Sequence, residues 1–433
     1  MEKGLISVDR WTGYSQAYFL THLHSDHTQG LSSTWAKGPI YCSRLTARLF
    51  PLKFRDFKLS LLRVLDVGVW HSLSLVSPSS SGAKSAVEVI AIDAHHCPGA
   101  VMFLFRGEFG CLLYTGDFRW EQINKKTKIT RTMLLNALKD DVVDILYLDN
   151  TYCNPSYAFP SREIVAQQVV NIIASHPEHD IIIGIDTLGK EDLLLRISHA
   201  LKIKIWLWPE RLQTMHLLGF HDIFTTKTSL TRVRAVPRYS FSTETLEFLN
   251  ATRPTIGIMP SGLPWVVKPL KRHDKPFGSL PWSGGSGSHT DKQNGDLQYV
   301  EKLNEYSYSV PYSDHSCFAE LQDFIKLVQP TNIKGIVSSS TCYINPLYYF
   351  GRLCRANQPA QRLHWKHKRK GKGERAPTVW ARATFSEGAS AESEWERGRT
   401  VKVRYSGIHV SRTSALRRLQ RGAKIVENDV LIE

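Results

Sequence analysis

The stretch THLHSDH at residues 21–27 decides how the rest of this chain is interpreted, because it places four metal-capable side chains close together. His22 and His24 are two positions apart, so both point to the same side of an extended segment. Asp26 and His27 follow where the chain turns, and they could reach a second cation. Imidazole and carboxylate ligands together suit Zn²⁺. The stretch therefore predicts a metal site at the end of a short apolar strand.

Two later segments add metal-capable residues at the ends of predicted strands. Residues 93–100, DAHHCPGA, place His95 and His96 before a Pro-Gly turn, and residues 114–118, YTGDF, place Asp117 at a glycine turn. A carboxylate in that position could bridge two cations. A strand-end Asp beside Gly is more often a turn former, so either segment alone is weak evidence. Chemistry alone leaves His95 and His96 as open alternatives.

The order HxHxDH, then a distant His, then a strand-end Gly-Asp resembles that of the metallo-β-lactamase superfamily. It is most similar to the DNA-repair branch of the β-CASP nucleases, the group of the Apollo and Artemis types. Five separated motifs follow the family order over approximately residues 5–350: FLTHLHSDHTQGLSSTW, DAHHCPGAVMFLF, LLYTGDFR, LYLDNTYCNP and VPYSDHS. The resemblance implies an α/β fold, a metallo-β-lactamase αββα sandwich with an inserted α/β β-CASP cap domain.

The resemblance also implies a centre of one or two Zn²⁺ ions, with three histidines on the first ion, two residues on the second and one bridging aspartate. These residues are, in that order, His22, His24 and His96; Asp26 and His27; and Asp117. His96 is preferred to His95 because it aligns with the family's HCPG histidine. Asp9 matches the first family motif, and we expect it to orient the histidine loop.

The β-CASP motifs imply further catalytic residues beside Asp26. Asp149, at a predicted strand end in LYLDNT, matches the first of them, and His315 in PYSDHS matches the second. Val337 lies where the third motif falls; RNA-processing members have His there, and DNA-directed members have Val. The pattern favours DNA, although Val is also an ordinary core residue in an apolar strand.

Residues 187–191, TLGKE, follow a predicted strand and open a predicted helix. Helix N-terminal amides and a lysine suit an anion, so Gly189 and Lys190 are predicted to bind a terminal phosphate. A strand–helix turn with a solvated lysine explains the same residues equally well.

The function implied by the resemblance is that of a zinc-dependent DNA nuclease, a 5′→3′ exonuclease on 5′-phosphorylated ends in which a metal-activated water attacks the phosphodiester. Its setting would be nuclear DNA repair, in interstrand cross-link or end processing and telomere maintenance. DNA is the expected partner, and repair or telomere proteins could be further partners. The alternatives are an RNA-processing β-CASP endonuclease and a catalytically silent scaffold that binds DNA ends.

Composition agrees with a polyanionic partner. The 433 residues include 55 Lys or Arg and 40 Asp or Glu, for a formal net charge of +15, which favours nucleic acid or an anionic membrane surface. Residues 362–433 hold 17 basic and 8 acidic residues, a net of +9. Seven cysteines without a CxxC pair favour a reducing compartment. No apolar run approaches about 18 residues, so we expect a soluble intracellular protein without membrane contact.

Patterning suggests a division into core, cap and tail. Short strands fill the first half, whereas strand–helix alternation from residue 161 predicts an α/β unit with a parallel sheet. The predicted segments are 1–155, the first part of the metallo-β-lactamase core; 156–305, the cap, with a flexible loop at 261–298; 306–354, the return to the core; and 355–433, a basic, largely irregular C-terminal extension.

Overall fold

The computed structural model describes residues 4–11, 13–76, 84–262, 300–337, 344–355 and 423–425. The predicted flexible loop 261–298 lies outside these residues except at its first two positions, and most of the predicted extension lies outside them too. All described residues belong to one compact unit, composed of Met1–Gln358 and Arg418–Glu433. Within the described ranges, no helix has both the length and the apolar character needed to cross a membrane.

The described residues form eighteen strands and eight α-helices. The strands are β1 Gly4–Val8, β2 Ser15–Phe19, β3 Ile40–Ser43, β4 Leu62–Leu65, β5 Trp70–Val76, β6 Lys84–Asp93, β7 Val101–Gly107, β8 Gly110–Tyr114, β9 Ile145–Leu148, β10 Asp180–Ile185, β11 Ile205–Trp206, β12 Phe224–Thr225, β13 Val233–Pro237, β14 Thr255–Pro260, β15 Glu301–Asn304, β16 Ser307–Val310, β17 Asn332–Gly335 and β18 Ala423–Ile425. The helices are α1 Arg44–Lys53, α2 Lys125–Leu138, α3 Arg162–Ser175, α4 Glu191–Leu201, α5 Pro209–Leu217, α6 Thr243–Thr252, α7 Phe318–Val328 and α8 Pro346–Phe350.

Two mixed sheets pack face to face. Their strand orders are β18-β1-β2-β3-β4 and β17-β9-β8-β7-β6-β5. Phe19 of the first sheet meets Phe103 and Phe105 of the second, with ring centroids 5.4 and 4.8 Å apart. Helix α1 covers the outer face of the first sheet, and α2 and α7 cover that of the second. These four layers confirm the predicted αββα sandwich.

A third sheet has the order β12-β11-β13-β10-β14-β16-β15. Its strands are parallel except for the edge strand β15, as the strand–helix alternation predicts. Helices α3 and α4 pack on one face and α6 on the other. Helix α3 follows its N-cap Ser161, whose side chain accepts a hydrogen bond from the Ile164 amide. Strand β16 belongs to this sheet although it lies beyond residue 305, so the predicted domain boundaries stay predictions.

Residues 423–425 lie within the C-terminal extension that the sequence predicts to be largely irregular. They form β18, which pairs antiparallel with β1 so that Ile6 lies opposite Ile425. The physical reason is that an edge strand offers unpaired main-chain amides and carbonyls to any segment that can extend beside it. Such pairing uses backbone atoms, so the residue types of the extension carry little signal for it.

Strand directions bring the predicted site segments to one edge of the sandwich. Strand β7 is antiparallel to both β6 and β8, so β6 and β8 run in the same direction. Strand β9 is parallel to β8, and β1 is parallel to β2. The segments that carry His96, Asp117 and Asp149 follow β6, β8 and β9, so they leave the sheet at the same end of its strands.

Phe324 of α7 packs at the outer core, behind the segment that carries Asp117. Its ring centroid lies 4.8 Å from those of Phe118 and Trp120, and all three side chains are fully buried. Replacing Phe324 with alanine should lower the free energy of unfolding by about 3–5 kcal/mol, because the lost contacts leave a cavity. Urea unfolding followed by circular dichroism measures this. Phe248→Ala is the control: that side chain is 74% exposed, and its loss should cost less than about 0.5 kcal/mol. Equal losses would contradict the packing.

Candidate metal centre

Three overlapping groups of metal-capable side chains lie where these strands end. Within each group the ligand atoms all lie within 4.8 Å of one another. The groups are His22, His24, His96 and Cys97; His22, His27 and Asp117; and His96, Asp117 and His315. The structure thus brings together residues that are up to almost three hundred positions apart in the sequence.

Asp117 is central to this cluster. Its Oδ1 lies 3.2 Å from Nε2 of His27. Its Oδ2 lies 3.7 Å from Nε2 of His22 and 3.6 Å from Nε2 of His96. The Nε2 atom of His315 is 3.9 Å from the same oxygen. The two carboxylate oxygens therefore face different histidines, which is the arrangement expected of a bridging ligand.

Hydrogen bonds outside the cluster set the proton positions of two histidines. Nε2 of His24 lies 3.0 Å from the carbonyl oxygen of Leu188, and Nδ1 of His96 lies 2.8 Å from that of Asp314. A carbonyl oxygen can only accept, so each of these ring nitrogens carries a proton. The other nitrogens, Nδ1 of His24 and Nε2 of His96, keep free lone pairs and lie 3.0 Å apart.

His22 has the same kind of arrangement. The Thr21 hydroxyl donates to Oδ2 of Asp9 at 2.6 Å, so its oxygen accepts from Nδ1 of His22 at 3.0 Å. Nε2 of His22 is then also a lone-pair donor to metals, and it lies 3.0 Å from Nδ1 of His24. Lone pairs facing one another at this distance repel unless a cation lies between them. The side chains therefore fit a metal ion.

Burial and charge divide the histidines into two kinds. Burial lowers the pKa of His22 well below its ordinary value and lowers the pKa of His96 to about 3. Both are neutral near pH 7, which is the form that binds metals. Burial alone would also lower the pKa of His27, but the carboxylates of Asp117 and Asp9 outweigh it and raise this pKa to about 10. A cation bound between His27 and Asp117 would take the place of that proton.

Asp9 ties the histidine loop to the end of β1. Its carboxylate accepts from the amide of Thr21 at 2.9 Å and from Nδ1 of His27 at 2.6 Å, in addition to the Thr21 hydroxyl. Asp9 has a φ of +51°, a conformation that few residues other than glycine adopt. These contacts fit the orienting role that the sequence predicts for Asp9.

Asp149 and His315 form a hydrogen-bonded pair beside the cluster. Nδ1 of His315 lies 2.8 Å from Oδ2 of Asp149. The other carboxylate oxygen accepts from the Thr151 hydroxyl at 2.6 Å, and the Asp149 amide donates to the Thr115 hydroxyl. With its Nδ1–H directed at Asp149, His315 presents Nε2 towards Asp117.

Besides Asp9 and Asp149, three predicted site residues lie outside the three groups that the described residues form. Asp26 is half-buried and belongs to none of them. The Gly189 amide donates to the Glu191 carboxylate at 2.9 Å. Lys190 is paired: its Nζ lies 2.9 Å from Oδ2 of Asp314, and its side chain is only 11% exposed. The alternative to His96, His95, points to α2, where its Nε2 lies 2.8 Å from the Thr130 hydroxyl.

The sequence pattern does not single out Lys53, which contacts the histidine loop. Lys53, at the end of α1, donates to the carbonyl of Leu23 at 2.6 Å and lies 3.4 Å from the Ser25 hydroxyl. Burial lowers the pKa of Lys53 to about 8. A lysine in the last turn of a helix is common because it complements the helix dipole, so its sequence position carried no signal for this contact.

Comparison with known proteins gives one family and several relatives. The family described as DNA repair metallo-beta-lactamase matches residues 220–341. The "5' exonuclease Apollo" of Danio rerio is 38% identical over 348 residues, which cover 79% of this chain and 52% of that protein. The protein of the same name from Gallus gallus is 37% identical over 342 residues, 78% of this chain and 63% of the relative. The "DNA cross-link repair protein SNM1" of Arabidopsis thaliana is 34% identical over 335 residues, 75% and 61% respectively. The chain thus spans between about half and two thirds of the length of these relatives.

Proposed function

The chain belongs to the DNA-repair metallo-β-lactamase family, and on that premise we propose that it is a zinc-dependent DNA nuclease, a 5′→3′ exonuclease on 5′-phosphorylated ends. The observation that carries this proposal is Asp117, whose two oxygens face four histidines at the end of the sandwich. The relatives named as 5′ exonucleases support the direction of digestion.

The donor set supports zinc as the metal. Imidazole nitrogens with carboxylate oxygens suit Zn²⁺, whereas Mg²⁺ and Ca²⁺ prefer all-oxygen sites. In the proposed centre, three histidines would hold one ion, Asp26 and His27 would hold a second, and Asp117 would serve both. The three histidines are His22, His24 and His96. Bound zinc supplies Lewis-acid stabilisation of charge on phosphodiester oxygens and lowers the pKa of a water molecule.

The protein's own residues supply orientation and proton transfer. Asp9 holds Thr21 and His27 in place through three short hydrogen bonds. His315, oriented by Asp149, is proposed to transfer a proton to the oxygen that leaves when the phosphodiester is cut. Asp26 is proposed to act beside it in orienting the attacking water.

The 5′-terminal phosphate is proposed to bind at Gly189 and Lys190. The Lys190 ammonium has three donors, of which one is directed at Asp314. A phosphate would therefore share this ammonium with the Asp314 carboxylate rather than meet a free charge.

DNA rather than RNA is proposed as the substrate because Val337 occupies the third β-CASP position. Its amide donates to the Asn150 side chain at 2.9 Å, and its carbonyl accepts from the same side chain at 3.2 Å. The Val337 side chain packs against the core between the two sheets. A net charge of +15 also suits a polyanion. The proposed setting is the nucleus, in cross-link or end repair or telomere maintenance, with repair or telomere proteins as partners.

A nuclease assay on the zinc-loaded chain tests this proposal. Labelled DNA with a 5′-phosphate should shorten from its 5′ end, at a rate at least about tenfold above that of the 5′-hydroxyl form, because a charge-assisted hydrogen bond contributes about 1.5–3 kcal/mol. Matched RNA and hairpin-ended DNA serve as controls. Equal digestion of RNA would contradict the assignment to DNA, and zinc binding without any product would indicate a scaffold.

A further inference from the structure

The loop between β10 and α4, residues 186–190, reaches the metal centre from the third sheet. Its Leu188 carbonyl is the acceptor for Nε2–H of His24. The Leu188 side chain is buried in the cluster that contains Leu23 and Leu49, beneath α1. This loop therefore decides which nitrogen of His24 carries the proton and which one faces the other histidines.

The same loop acts on His96 through a second chain of contacts. Lys190 pairs with the Asp314 carboxylate at 2.9 Å, and Arg162 lies 3.7 Å from the other oxygen of that carboxylate. The main-chain carbonyl of Asp314 in turn accepts Nδ1–H of His96. A displacement of Lys190 would thus be transmitted to a second histidine.

Arg211 of α5 fixes the loop from behind. Its guanidinium donates to the carbonyls of Thr187 and Gly189 at 2.6 and 2.7 Å and to the Glu191 carboxylate at 2.7 Å. The same Glu191 oxygen accepts from the Gly189 amide at 2.9 Å. Arg211 is only 1% exposed and so has no role at the surface.

Gly189 has a φ of +102°, a backbone conformation that glycine adopts readily and other residues rarely adopt. A Cβ atom there would lie 3.4 Å from Oδ2 of Asp314, at the Lys190 contact. Gly189 permits this loop conformation, and the buried Arg211 and Glu191 hold it.

We infer that loop 186–190 is a positioning element of the metal centre, and that Arg211 and Lys190 set metal affinity by orienting His24 and His96. The inference rests on the metal site of the proposed function and extends it, because it makes that site depend on the third sheet. Groups hydrogen-bonded to metal-binding histidines typically change metal affinity by about 10–100-fold when they are removed.

Zinc affinity of the full chain, measured by competition with a chelator after metal removal, tests this inference. Arg211→Met and Lys190→Met should each weaken zinc binding by about tenfold, the lower end of the range for groups bonded directly to the histidines, because both side chains act one contact further out. Arg211→Lys should recover part of the loss, since a lysine keeps the charge but lacks the planar fork that serves two carbonyls and a carboxylate together. Arg234→Met is the matched control: it removes an ion pair with Asp180 at the far end of β10 and should leave zinc affinity unchanged.

Thermal unfolding of the metal-free forms separates positioning from general destabilisation. If Arg211→Met does not fold, Lys190→Met decides, because its side chain is removed without leaving an arginine-sized cavity. Zinc binding as tight in the folded variants as in the unaltered chain would overturn the inference and leave the proposed function standing. Absence of zinc binding by the unaltered chain would overturn both.

Discussion

Replacing Asp117 with asparagine is expected to abolish phosphodiester hydrolysis while leaving the fold intact. Both Asp117 oxygens face histidine nitrogens, at distances from 3.2 to 3.9 Å. An amide at this position offers only one good acceptor atom and no charge, so it cannot serve two cations. Removal of a group that is hydrogen-bonded to a metal ligand typically lowers metal affinity or activity by about 10–100-fold. Asp117 is proposed as a ligand itself, so we expect the rate constant kcat to fall by more than about a hundredfold.

Three measurements on the Asp117→Asn chain test this prediction. The kcat on 5′-phosphorylated DNA should fall, the zinc content should fall towards one ion or less, and the circular dichroism spectrum should not change. Asp93→Asn is the matched control, because Asp93 lies at the end of β6 with its side chain 53% exposed. That variant should keep most of the activity. An Asp117→Asn chain that digests DNA at the unaltered rate would refute the bridging role.

Residue type and spacing indicated the histidine loop of the cluster, whereas the family resemblance supplied its other members. Histidines two apart on an extended segment must share a side, and Gly116 allows the turn that presents Asp117. Gly116 has a φ of +54°, and a Cβ atom there would lie 2.9 Å from the Thr21 side chain. This close approach explains why a glycine precedes the aspartate, and it could be anticipated as a turn but not as a contact with Thr21.

The contacts that orient the histidines could not be predicted in the same way. Leu188 and Asp314 act through main-chain carbonyls, which every residue possesses, so their identities carry no signal for this role. Arg211 is an ordinary helix residue in the sequence. Its importance arises only because α5 folds against loop 186–190 and buries the guanidinium.

The choice between His95 and His96 shows the same limit. Adjacent histidines have the same chemistry, and only the family alignment favoured His96. The structure separates them by backbone conformation: His95 has a φ of +53° and turns its ring towards Thr130 of α2, whereas His96 faces Asp117. A one-residue difference of this kind depends on the tertiary packing of α2, which local sequence does not specify.

The Asp149–His315 pair leads to the second large expected effect. His315→Gln should lower kcat by about 10²–10⁴-fold, the usual contribution of a positioned proton donor or acceptor. Glutamine keeps a polar side chain of similar reach but cannot transfer a proton at neutral pH. Zinc content decides between two roles, because His315 also belongs to a metal-capable group with His96 and Asp117. Retained zinc with lost activity supports proton transfer, whereas zinc lost in proportion to activity would make His315 a ligand instead.

Asp149→Asn should reproduce most of this loss for a different reason. An asparagine can turn its amide towards Nδ1 of His315, which would then accept a hydrogen bond and move the ring proton to Nε2, the atom that faces Asp117. Asp144→Asn is the control, because Asp144 lies just before β9, at the end opposite Asp149, where its carboxylate accepts from the Cys111 amide. Since Asp149 acts through His315, the double variant should be hardly slower than His315→Gln alone. Fully additive losses in this cycle would show that Asp149 acts on the reaction independently of His315.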